Sequence, residues 1–195
     1  MPPTTALIVL LWMFDSGFPR DGNVRPQPTT VESQEPPADK SAPTGIRDLP
    51  SNVWRLYIED PYVRDAARRM IEEAARWLSF PECQELLSDF ADESGQPLRR
   101  KLVELGVTAV EYLRLIIFDD GTNRSRCRQS AILAFTSPGS RVIYLCGRDF
   151  MRAAQRAPED LRAVVIHEML HSLGLGENPP SSREITRRVK EQCWR

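Results

Sequence analysis

His167 and His171 are the only two histidines in the 195-residue chain, and they lie four residues apart. That spacing constrains the fold more than any other feature. Residues at i and i+4 stand on one face of an α-helix, one above the other. Two imidazole nitrogens can then converge on one tetrahedral ion, with Glu168 between them in reach of a water that the ion activates. Zinc is the expected metal, one ion per chain. It is redox-inert, takes nitrogen and oxygen ligands, and acts as a Lewis acid.

The surrounding residues suit a buried helix. Pro158, Glu159 and Asp160 place a proline and two acids at its start, where the backbone N–H groups have no helical partner. Leu161, Val164, Val165, Met169 and Leu170 offer apolar surface. Gly174 stops the helix three residues after His171, as a residue in the left-handed conformation does.

His167-Glu168-Met169-Leu170-His171-Ser172-Leu173-Gly174-Leu175-Gly176-Glu177 has the pattern HExxHxxGxxE. It resembles the zincin class of zinc metallopeptidases, and in particular the metzincin-like motif with a ligand six residues after the second histidine. The resemblance spans residues 158–178. No methionine stands between Glu177 and Arg195, so the methionine turn of metzincins is absent and the broader class is the expectation. It implies an α+β fold in which a small twisted sheet packs on the HExxH helix, with several flanking helices. It implies His167, His171 and Glu177 as metal ligands and Glu168 as general base in peptide hydrolysis. It also implies that an edge strand of the sheet holds an extended peptide or protein substrate. Two other third ligands stay open: Glu191, at a spacing similar to gluzincins, and Cys146, as in peptide deformylase. Tyr144, Arg148 and Arg183 are the candidates for steadying the developing oxyanion. From another functional class, the alternative is a non-catalytic exported protein with a structural or vestigial zinc site.

The periodicity upstream divides the rest of the chain. Residues 6–14 are an apolar run too short to span a bilayer, but they match the core of a signal peptide in length. No Lys or Arg precedes them and no A-x-A-like site follows. The segment 1–14 is therefore read as an export signal with a poorly placed or truncated start, or else as a loosely docked N-terminus. Seven of the sixteen prolines fall in residues 15–50, among polar residues, as in a disordered linker. Residues 51–195 form the expected metallopeptidase domain.

Within that domain, Asp60-Pro61 opens a helix whose apolar stripe runs from Val63 to Leu78. Pro81 opens a second, and a third from Pro97 to Leu105 ends at Gly106. Tyr112–Phe118 reads as a strand. Ala131–Thr136 and Arg141–Cys146 read as a hairpin around Ser137-Pro138-Gly139-Ser140. Ser181 and Glu184 form a capping box for a last helix, whose inward face carries Ile185, Val189 and Cys193.

A formal net charge of −1 offers no field to draw nucleic acid or an anionic membrane, so neither is an expected partner. No stable membrane insertion of the mature domain is expected. Four cysteines without a CxxC pair fit disulfides in an exported protein, periplasmic or secreted, with at least one bond among Cys127, Cys146 and Cys193. Reduced thiols in a cytoplasmic protein are the alternative.

Overall fold

The structure, a computed structural model, describes residues 53–194; the expectations for residues 1–14 and 15–50 lie outside the described residues. It is α+β, with seven α-helices and one four-stranded mixed sheet among the described residues. Strand β1 (Arg55–Tyr57) leads into α1 (Pro61–Leu78), where the Asp60 carboxylate accepts from the N–H groups of Tyr62 and Val63. Helices α2 (Pro81–Asp89) and α3 (Leu98–Leu105) follow, the latter closed by Gly106 at φ 64°.

The segment read as a strand from Tyr112 is a helix first. Thr108 and Glu111 cap α4 (Ala109–Leu115) reciprocally, each side chain accepting from the other's backbone N–H. The helix buries Tyr112 and Leu113, and only then does the chain extend into β2 (Ile117–Asp120). The β-branched and aromatic letters are real, but the cap decides the conformation of their first half.

After a 3-10 turn (Ser125–Arg128), β3 (Ala134–Phe135) and β4 (Val142–Leu145) form the hairpin. Its antiparallel ladder pairs Ala134 with Leu145 and Phe135 with Tyr144. It is shorter than the sequence suggests, and Ala131, at φ 69°, lies outside the extended region. The remaining helices are α5 (Gly147–Arg156), which no sequence signal singles out, α6 (Pro158–Ser172) and α7 (Ser182–Cys193). Only half of the expected box caps α7. Ser181 accepts from the Glu184 N–H, while the Glu184 carboxylate turns to Arg187.

The sheet order is β1-β2-β4-β3, with β1, β2 and β4 parallel and β3 an antiparallel edge. Phe118, Ile143 and Leu145 are buried while their strand neighbours are half-buried, so the core lies against one face. Helix α6 packs against β3, β4, α1, α5 and α7, and is therefore the centre of the domain.

Two disulfides hold the outer elements to this centre. Cys83–Cys193 ties α2 to the end of α7 across 110 residues, and Cys127–Cys146 ties the 3-10 turn to the end of β4. Closing loops that long removes roughly 3–5 kcal/mol of entropy per bond from the unfolded chain. No described helix is long and apolar enough to cross a membrane.

Candidate metal centre

Every residue of α6 from Val165 to Ser172 is buried, so its polar side chains have to be satisfied inside the protein. His167, Glu168, His171 and Ser172 are all among them. Ser172 is bound locally: its hydroxyl donates to the Met169 carbonyl, and the Tyr112 hydroxyl donates to its own carbonyl at 2.9 Å. The two histidines face each other, Nε2 to Nε2, at 2.9 Å.

The turn after α6 brings the third group in. Leu173 ends the helix and Gly174 takes φ 115°, with its N–H on the His171 carbonyl at 2.8 Å and the Leu175 N–H on the Leu170 carbonyl at 3.1 Å. A Cβ at Gly174 would also stand 3.1 Å from that of Asp92, so two constraints favour glycine here. The reversal carries Glu177 back over the helix, with Oε1 3.8 Å from His167 Nε2 and 3.5 Å from His171 Nε2.

These distances fit one metal ion. Two ligands on the same zinc can stand no further apart than about 4.2 Å, twice a bond of about 2.1 Å, and all three separations fall inside that limit. Proton positions point the same way. His171 Nδ1 lies 2.6 Å from the Leu175 carbonyl, which can only accept, so Nδ1 carries the hydrogen and Nε2 the lone pair. His167 Nδ1 lies 2.9 Å from the Thr186 hydroxyl on α7; with that oxygen accepting, its Nε2 also presents a lone pair. Two lone pairs and a carboxylate then face one small space, an arrangement that a cation satisfies. Outer hydrogen bonds of this kind fix ring orientation and raise ligand basicity.

Among the described residues, these three make up the group of histidine and acidic side chains able to hold a metal. Glu191 is not in it: it lies on the exposed side of α7, bound by the Arg187 guanidinium at 2.6 Å to each oxygen. Cys146 as a ligand is overturned, since its sulfur is bonded to Cys127. The other sulfur pairing joins Cys193 to Cys83, and no described cysteine is free.

Glu168, on α6 beside the histidines, borders a cleft of about 390 Å³ together with the three candidate ligands. Residues 131–136 form one wall, including the edge strand β3, while Ser182 and Thr186 of α7 lie on another. Tyr144, Arg148 and Arg183 do not line it; Tyr144 stacks on Phe135 and under Arg124, and Arg148 pairs with Asp149. Three groups at the site were beyond sequence reasoning: Thr186, the Leu175 carbonyl and Arg126. Leu175 lay inside the quoted motif, but nothing in its type signals the use of its backbone oxygen.

Burial, and then the charge of Glu177, pushes the Glu168 carboxyl up to about 8, against the pull of Arg126 and of the Thr136 N–H. Burial, and then His171, pushes His167 down to about 3. The consequences for metal-free protein have opposite signs. Unfolded His167 takes up a proton near pH 6.5 that the folded chain refuses until about 3, so stability falls as pH drops through that window. Folded Glu168 keeps a proton up to about pH 8 that the unfolded chain loses near 4.5, so stability falls as pH rises through that window. The two slopes cancel where the windows overlap. Metal-free protein should be most stable at pH ~4.5–6.5 and lose up to about 1.4 kcal/mol per unit on either side. Chemical denaturation across pH in the presence of a chelator measures this. A stability that does not decline between pH 6.5 and 8 would contradict the environment assigned to Glu168.

No family model matches the chain, and neither a curated protein nor a solved structure matches it.

Proposed function

We propose that this protein is a zinc-dependent metallopeptidase with a zincin-like fold, in which His167, His171 and Glu177 hold the metal and Glu168 is the general base. One observation carries the reading. Three ligand atoms of the chemistry zinc prefers meet beside a buried carboxylate, on a cleft walled by an edge strand. A structural site would not need Glu168, whereas hydrolysis does.

Zinc, when bound, supplies Lewis acidity: it acidifies a water and polarises the scissile carbonyl. The protein's own groups do the rest. β3 has β4 on one side only, so its outer edge offers N–H and C=O groups to an extended peptide running alongside. β4 lies between β2 and β3 and cannot serve. Glu168 takes the proton as water attacks, and returns it to the leaving amine. The carbonyl of Leu175 and the hydroxyl of Thr186 keep both imidazoles aimed at the metal.

Substrates are peptides or proteins. The two disulfides fit an oxidising compartment, which supports export to the periplasm or beyond the cell. Incubation with casein tests the function. Cleavage that a chelator abolishes and stoichiometric zinc restores is the expected result. Intact casein and intact mixed peptides in the presence of zinc-loaded protein would favour the non-catalytic alternative.

A further inference from the structure

The cleft contains one cation among its described lining residues, Arg126. Its position is held from both ends. The next residue, Cys127, is buried and bonded to Cys146 at the end of β4, which fixes the 3-10 turn that carries Arg126. At the other end, the guanidinium lies over the Phe135 ring at 5.5 Å, and Phe135 stacks in turn on Tyr144 at 5.2 Å. Phe135 belongs to the edge strand, so the guanidinium sits beside the line an extended peptide would follow.

Among the described residues no carboxylate forms an ion pair with Arg126, although its charge is felt at Glu168. An arginine fixed by stacking keeps its planar fork of donors free for a bidentate partner. The charge balance of the cleft asks for an anion. With zinc in place, the Glu177 carboxylate offsets one of its two charges and Arg126 adds a positive one, so the cleft is net positive whether Glu168 is protonated or ionised.

We propose that Arg126 is the specificity-determining residue of this cleft and binds a carboxylate of the substrate. The substrate class is then peptides carrying either an acidic side chain near the scissile bond or a free C-terminal carboxylate there. The proposal rests on the metallopeptidase reading for its cleft and its substrate, but it can be tested separately from hydrolysis.

The experiment uses the full-length zinc-loaded chain and sets of fluorogenic peptides that differ only in Glu against Gln at single positions, each with a free or an amidated C-terminus. The parent should prefer one carboxylate-bearing form by tenfold or more in kcat/KM, the scale of a charged hydrogen bond. Arg126→Gln should erase that preference, with kcat/KM for the carboxylate-bearing peptides falling to that of their neutral counterparts; Arg126→Lys should retain part of it. A preference that follows Glu assigns the side chain, and one that follows the free terminus assigns the C-terminal carboxylate. An unchanged preference in Arg126→Gln, or none in the parent, overturns the proposal. If the parent cleaves nothing, the metallopeptidase reading fails, and fluorescence anisotropy of the same peptides still decides on Arg126. Carboxylate-selective binding that Arg126→Gln loses supports it, whereas equal or absent binding overturns it.

Discussion

Glu168→Gln should leave the fold and the zinc in place and reduce hydrolysis on the order of 10²-fold or more, the scale of a lost general base. The substitution keeps the side chain's shape in a site where Glu168 is 7% exposed, so packing is undisturbed. It removes the proton acceptor and nothing that touches the metal. It also removes the buried acid whose raised pKa destabilises metal-free protein in alkali. The variant should therefore lose the decline in stability between pH 6.5 and 8 at the same time as it loses activity. Two independent readouts, casein cleavage and denaturation in chelator, must change together. Parent-like cleavage by this variant would remove Glu168 from the mechanism.

The second large effect separates the two glutamates. Zinc sites of four ligands bind with about 10–16 kcal/mol, so one protein ligand is worth roughly 3 kcal/mol, on the order of 10² in affinity. Glu177→Ala should weaken zinc by that factor, because its Oε1 is within 3.8 Å of both Nε2 atoms. Glu191→Ala should leave affinity unchanged, since that side chain only pairs with Arg187 on an exposed face. A zinc competition titration ranks the two. The reverse ranking would place the third ligand on α7 and require a rearrangement of that helix.

The legible parts of this molecule are those whose cause is local. Asp60-Pro61 announces the start of α1 by its own cap, and the steps of four through Ile185, Val189 and Cys193 mark the buried face of α7. The reversal that returns Glu177 to the histidines needs only Gly174. Where two local signals compete, reading is harder. Tyr112 to Leu115 carries strand-like letters behind a Thr108–Glu111 cap, and the cap wins because it nucleates a helix that buries Tyr112 and Leu113. Ahead of β3 stands a left-handed Ala131, a conformation that alanine does not advertise.

At the site itself, the motif names groups from one helix and one turn. The others arrive by tertiary packing: Thr186 on α7, docked through Cys83–Cys193, and Arg126 on a turn pinned by Cys127–Cys146. Neither has a spacing to His167 that any periodicity prescribes. The raised pKa of Glu168 in metal-free protein is likewise a property of the assembled core, since burial is its largest cause.

Whether His167, His171 and Glu177 hold a metal is tested most directly by native mass spectrometry of purified protein. It should show one zinc per folded chain, absent from His167→Ala and His171→Ala at the same free zinc concentration. Parent protein that takes up no zinc, or histidine variants that hold it as the parent does, would contradict it.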